Sequence, residues 1–242
     1  MKRHPFVVAA LALFVLLSGR PEASAYVLLE LQDDAQLIAL QTAGKFTKHF
    51  GGNIRWGNNE TNGDWEYAVV NAGDIPIGPD NPKQVKWSDY STTHSYSFSY
   101  SAAANTASLG LTLSKDSASI PLAVSSGEVT AAQINAIIFR AKAADGDMAS
   151  LLFPISINFT SGGSLSLQSL VGDFDAQSLL LVDGRLAEGF TVTGQATLAD
   201  GKGSLPMYQF KVGVSTVPVP AAVWLLGTGL AGLLALRKRG RK

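Results

Sequence analysis

Along most of the chain the hydrophobic and polar positions alternate in steps of two rather than recurring in steps of three and four. Between residues 95 and 101 the aromatics Tyr96, Phe98 and Tyr100 fall on one side and Ser95, Ser97, Ser99 and Ser101 on the other, the pattern of a strand with one buried face. Residues 108–113 continue it with Leu109, Leu111 and Leu113 in line. The two runs predict a hairpin turning at 103–106. Further strands are predicted over 26–31, 46–56, 65–71, 84–87, 134–143, 151–159, 179–182, 190–198 and 207–214. The Gly51-Gly52 pair predicts a break in the 46–56 run. Only 33–42 reads as a helix, with Asp33 or Asp34 as its cap. Asn62-Gly63, Asp183-Gly184 and Asp200-Gly201 mark turns, because Asn, Asp and Gly reach positive φ at low cost. Short strands with Gly and Ser turns predict an all-β domain, an antiparallel sandwich or jelly roll.

At both ends the alternation gives way to unbroken apolar runs. Residues 1–25 place Lys2 and Arg3 before an apolar stretch from Phe6 to Leu17, followed by the small residues Ala23-Ser24-Ala25. That is the layout of a secretory signal peptide, with Ala23 and Ala25 as the signal-peptidase site, and its apolar part is too short to span a bilayer. At the other end, 221–236 carries no charge and is followed at once by Arg237, Lys238, Arg239, Arg241 and Lys242. Counted from Val217, the uncharged stretch reaches twenty residues, about the length needed to cross a hydrocarbon core of ~30 Å. The cations predict a stop-transfer tail that stays cytoplasmic, so the middle of the chain is expected outside. The expected organisation is a leader at 1–25, an exported domain at 26–216 and an anchor at 217–242.

Composition sharpens this division. The chain has 242 residues, 46% hydrophobic and 16% charged, with 19 basic and 19 acidic side chains and no cysteine. Disulfides, thiolate metal sites and a cysteine nucleophile are excluded. The formal neutrality resolves into +2 on the leader, +5 on the tail and −7 on residues 26–216. An acidic domain without a basic patch gives no support for nucleic-acid binding.

The C-terminal residues carry a resemblance. Val217-Pro218-Val219-Pro220-Ala221-Ala222-Val223-Trp224-Leu225-Leu226-Gly227, the apolar run and the basic cluster are similar to the PEP-CTERM sorting signal of Gram-negative envelope proteins, in its VPxPAAxWLxG version. The usual central Glu of that motif is Val219 here. The resemblance implies recognition of Val217, Pro218, Val219 and Pro220 by an exosortase, a membrane-embedded cysteine protease. It also implies a setting of extracellular polysaccharide. Within the domain, residues 54–58 and 63–66, the run 134–140, and 190–198 with 209–211 resemble exported "choice-of-anchor" domains of the W type. That likeness implies fold and location and attaches no activity.

Three kinds of chemistry remain to be weighed. Gly227-Thr228-Gly229-Leu230-Ala231-Gly232 spells a dinucleotide fingerprint, but the chain ends ten residues later without the required acid, and small residues in a membrane helix account for it better. His49 and His94 are the histidines of the domain, there is no GxSxG elbow, and His94 opens the aromatic side of its strand, so a hydrolase is the remotest expectation. In the 58–66 loop, Asn58, Glu60, Asn62 and Asp64 flank Gly63 like the first half of a calcium loop, although position one is not Asp and position twelve is Val69. Exposed hairpin turns explain the same residues, so no cofactor is expected and calcium is the one candidate.

Trp56, Trp65, Tyr67, Trp87 and Tyr90 cluster beside polar turns and form a candidate sugar platform, with core packing as the alternative. The sequence therefore predicts a non-catalytic exported envelope or matrix protein, handled by the Sec translocon, signal peptidase and an exosortase, and held to the membrane by one C-terminal helix. A carbohydrate-binding module for extracellular polysaccharide is the alternative.

Overall fold

The structure is a computed structural model that describes residues 26–55, 67–78, 91, 93–116, 118–129, 133–143, 149–172, 176–198 and 207–217. The chain begins with β1 (Val27–Leu31), helix α1 (Asp34–Thr42), β2 (Phe46–Arg55) and β3 (Tyr67–Asn71). It continues through β4 (Thr93–Ser101), β5 (Thr106–Lys115), β6 (Ala118–Glu128), β7 (Ala136–Lys142) and β8 (Ala149–Phe159). Then come β9 (Ser164–Leu167), β10 (Leu170–Gly172), β11 (Gln177–Val182), a 3-10 turn (Gly184–Glu188), β12 (Phe190–Leu198) and β13 (Met207–Ser215). The strands form two antiparallel sheets: six strands in the order β1-β11-β7-β13-β2-β3, and seven in the order β10-β8-β12-β4-β5-β6 with β9 on β8. The fold is all-β, and its two sheets are consistent with a sandwich.

The alternation read from the sequence builds the core between the sheets. From β4 and β5 the inward side chains Tyr96, Phe98, Tyr100, Leu109, Leu111 and Leu113 meet Phe50, Phe139 and Phe210 of the other sheet. Phe98 and Phe210 stack with centroids 4.9 Å apart and planes 9° apart, and Phe139 meets Phe210 edge-on at 6.0 Å. A smaller cluster lies on the other side of the six-stranded sheet, where Leu37 of α1 packs over Val27, Phe46, Ile138 and Leu180. The helix is held by its cap: Asp33 accepts from the Gln36 N–H at 2.7 Å, and Gly44 past its end takes φ +64°.

Several local expectations are corrected. The Gly51-Gly52 pair does not break β2, which runs unbroken from Phe46 to Arg55. A Cβ on Gly51 would collide with the Phe210 carbonyl oxygen, and one on Gly52 would stand 2.9 Å from the Phe98 ring. These glycines permit close approach to β13 and the core. Irregularity in β2 falls at His49 instead, which the register skips between Phe50 opposite Val212 and Lys48 opposite Gly213. The turn expected at Asp183-Gly184 is present as a 3-10 turn, which Asp183 caps while its buried carboxylate binds Arg185. The expected strand at 84–87 lies outside the described residues.

Both ends of the described chain leave from one end of the six-stranded sheet. Val27 is in register with Val182, Val182 with Ala136, Ala136 with Gly213, and Ser215 with Phe46. Arg55 and Tyr67, which flank the 56–66 segment, stand at the opposite end of β2 and β3. Ten residues of strand separate the two ends, about 30 Å at ~3.3 Å per residue.

Candidate functional site

Of the five rings proposed as a sugar platform, Tyr67 is described, and it points into the core with 3% of its surface exposed. Its ring is not offered to a ligand, and the core-packing alternative holds for this residue. Trp56, Trp65, Trp87 and Tyr90 lie outside the described residues, as do Asn58, Glu60, Asn62 and Asp64 of the calcium loop. Among the described residues no group of three or more His, Asp or Glu side chains could hold a metal ion. Ala23, Ala25, Pro218, Val219, Pro220 and the five terminal cations also fall outside them. Among the described residues no helix is long and apolar enough to cross a membrane.

Val217 is the one residue of the sorting motif that is described, and it is fastened to the domain. The Ser215 N–H donates to Asn135 Oδ1 (2.6 Å), while Asn135 Nδ2 donates back to the Ser215 carbonyl (2.9 Å). Ser215 Oγ and the Thr216 N–H both donate to the Lys45 carbonyl, at 2.9 and 3.0 Å. The Val217 N–H then donates to Ser215 Oγ, and its side chain packs against the cluster beneath α1. The chain is thus part of the fold as far as Val217.

The outer face of the six-stranded sheet carries an ionic network that the sequence reading did not anticipate. Arg140, on β7, donates through Nε and Nη2 to Asp34 at the start of α1 (2.7–3.0 Å) and through Nη1 to Gln209 Oε1 (2.8 Å). Lys142 adds a bond to Asp34 at 2.8 Å. Further along, Lys48 and Asn53 of β2 donate to Asp74, which sits at φ +60° in the loop folded back over β3. Burial raises the Asp34 and Asp74 carboxyl pKa values, but hydrogen bonds from Lys142 and Arg140 to the first and from Lys48 to the second outweigh it, leaving both below the ordinary value. Burial lowers the Lys211 ammonium between them. The signal for this network was one charge, Arg140, inside the apolar run Ile137-Ile138-Phe139 and Ala141.

His94 lies inside the sandwich, 3% exposed, with Nε2 2.6 Å from the Tyr208 hydroxyl. Burial raises the Tyr208 and Tyr96 phenols above their ordinary range, so both remain protonated at neutral pH. A protonated phenol does not serve as a general base. The cluster braces the end of the core where β4 and β13 face each other.

The outer face of the seven-stranded sheet is different in kind. Because serines alternate with core aromatics along β4, every second residue there points outward, and its partners repeat the chemistry in register. One row across the sheet reads Ser164, Asn158, Thr191, Ser99, Ser108 and Ser125. The next runs from Ser166 through Ser156, Thr193 and Ser97 to Gly110 and Ala123. Neither row contains a charged or aromatic side chain. Hydroxyls within the face also orient each other, Ser99 against Ser108 at 2.7 Å and Thr93 against Thr197 at 2.9 Å.

Three surfaces are thus distinct: a fastened C-terminal exit, an ionic face on the helix side and an uncharged hydroxyl face on the other. Compared with family models and with curated proteins, the chain matches none.

Proposed function

We propose that the protein is a non-catalytic exported component of the cell envelope or extracellular matrix, delivered by a cleaved signal peptide and sorted through a PEP-CTERM-like anchor by an exosortase. The observation that carries this reading is the partition of charge and hydrophobicity: an acidic domain of net −7 between a +2 apolar leader and an apolar segment with a +5 tail. It is supported by a fold whose first and last strands leave from one end, as suits a domain tethered there. A Sec-dependent route also fits a core built without cysteine. The reading assigns the stop-transfer role to Arg237, Lys238, Arg239, Arg241 and Lys242, because cations resist translocation. Replacing all five with Ser or Gln in the native host and fractionating the cells is expected to abolish envelope delivery of most of the protein. Unchanged processing and delivery would overturn the assignment.

A second reading, a module that contacts extracellular polysaccharide, is favoured by the hydroxyl face rather than by the aromatic cluster.

A further inference from the structure

The two outward rows through Ser99 and Ser97 form a polar surface with no charge among the described residues, in a domain of net −7, and Glu128 stands in the neighbouring row opposite Thr106. Strands lie ~4.8 Å apart and outward residues repeat every ~6.7 Å along each strand, so two rows on six strands give about 24 by 7 Å between residue centres. A third row carries Gln195, Ser95 and Thr112 on the three central strands, in register with Leu152 on β8 and Pro121 on β6. Among the described residues, the ion pairs of Lys48 and Asp74 and of Arg140, Lys142 and Asp34 lie on the far side of the other sheet. Such a surface selects its partner by exclusion as well as by attraction. Nucleic acid and acidic polymers are not drawn to a face without cations on an acidic domain. Protein interfaces favour aromatic residues, Met and Arg and are depleted in Ser and Ala, the reverse of these rows.

We infer that this face is a binding surface for a neutral, hydroxyl-rich polysaccharide chain lying flat across the strands. Hydroxyls and side-chain amides each donate and accept, so they match sugar hydroxyls in either direction without a fixed polarity. The paired hydroxyls Ser99 with Ser108 and Thr93 with Thr197 are ordered before a ligand arrives. Each neutral hydrogen bond contributes only about 0.5–1.5 kcal/mol net. One sugar ring with two or three such bonds does not recover the several kcal/mol of lost translational and rotational freedom. A polymer crossing several strands does, because later contacts form intramolecularly. The surface is therefore one for chains and not for single sugars. This inference rests on the second reading above and is independent of how the protein is sorted.

Affinity electrophoresis of the full chain in detergent tests it, with gels containing hydroxyethyl cellulose, galactomannan or dextran as neutral polymers and alginate as the acidic one. Retardation by at least one neutral polymer is expected, little changed by 0.5 M salt and not relieved by the free monosaccharide. The variant Ser95→Ala, Ser97→Ala, Ser99→Ala, Thr191→Val, Thr193→Val is expected to weaken it at least ~10-fold, since five modest bonds are removed. Ser95→Glu, one exposed position, is the second variant and is expected to weaken it without disturbing the fold; circular dichroism checks both. No retardation by any neutral polymer, equal retardation of wild type and both folded variants, or retardation by alginate alone that vanishes with salt would overturn the inference. Because the assay is made on purified protein, its failure leaves the sorting assignment standing, and mislocalisation of the tail variant leaves the binding surface standing.

Discussion

Phe210→Ala is expected to destabilise the domain by about 4 kcal/mol, the middle of the range for deleting a buried Phe side chain. Phe210 has no exposed surface and sits where the two sheets touch. Its ring stacks on Phe98, meets Phe139 and Tyr208 edge-on at 6.0 Å each, and lies 5.3 Å from Tyr96. Neighbours on both sheets are tied into antiparallel ladders, so they have little freedom to collapse into the space left behind. For a domain of this size the loss corresponds to roughly 8–16 °C in Tm. Phe210→Leu keeps most of the volume and is expected to cost only about 1–2 kcal/mol. Urea unfolding followed by circular dichroism reads both, with the slope unchanged. A loss below ~1 kcal/mol for the alanine variant would show that the sheets do not share this core.

Asp34→Ala is expected to cost about 2–3 kcal/mol at pH 7, below the usual cost of breaking a fully buried pair because the Asp34 side chain is 26% exposed. The change leaves Arg140, whose side chain is 10% exposed, with Gln209 and the Met207 sulfur as its partners among the described residues. Lys142 loses its carboxylate as well, and α1 loses the acid in its first turn. The pH dependence gives the sign. The folded-state Asp34 pKa lies below its unfolded value of 3.8, so the stabilisation is complete above that value and disappears as pH falls through the folded one. The difference between wild type and Asp34→Ala should therefore be largest near neutrality and shrink as the pH falls below 3.8. Adding Arg140→Met to Asp34→Ala should recover much of the loss, because an unpaired buried charge is removed with its partner. A difference constant down to pH 2 would locate the effect in helix packing rather than in the ion pair.

The sequence reading succeeded where burial and period agree. β4 and β5 announce themselves because one face of each is large and apolar and the other is small and polar, and their turn falls at Ala102–Asn105 with Asn105 at φ +51°. Helix α1 was legible through its cap, Asp33, more than through its sides. β6 went unrecognised because an edge strand needs little apolar surface: Val124 is buried while Ile120 and Leu122 are half-covered, and Pro121 sits among them. β9 and β10, four and three residues long, are too short to show a period. The surfaces were harder to see for a different reason. Serines on β4 are visible in the sequence, but a hydroxyl face exists only once Thr191, Ser108, Asn158 and Ser164 are brought into register from four other strands. Likewise Arg140, Lys48 and Asp74 come from distant segments, and nothing local pairs them. Of the aromatic cluster of the first third, the described ring, Tyr67, packs in the core.

Among these claims, export and processing at both ends organise the rest. Terminal-peptide mass spectrometry of the protein recovered from the surface or matrix of the native host tests this most directly. The account predicts an N-terminus at Tyr26 and a C-terminus upstream of Ala221, with the segment 221–242 absent. A surface or matrix form that still carries Phe6–Leu17 and Arg237–Lys242, or a protein found only inside the cell at full length, would contradict it.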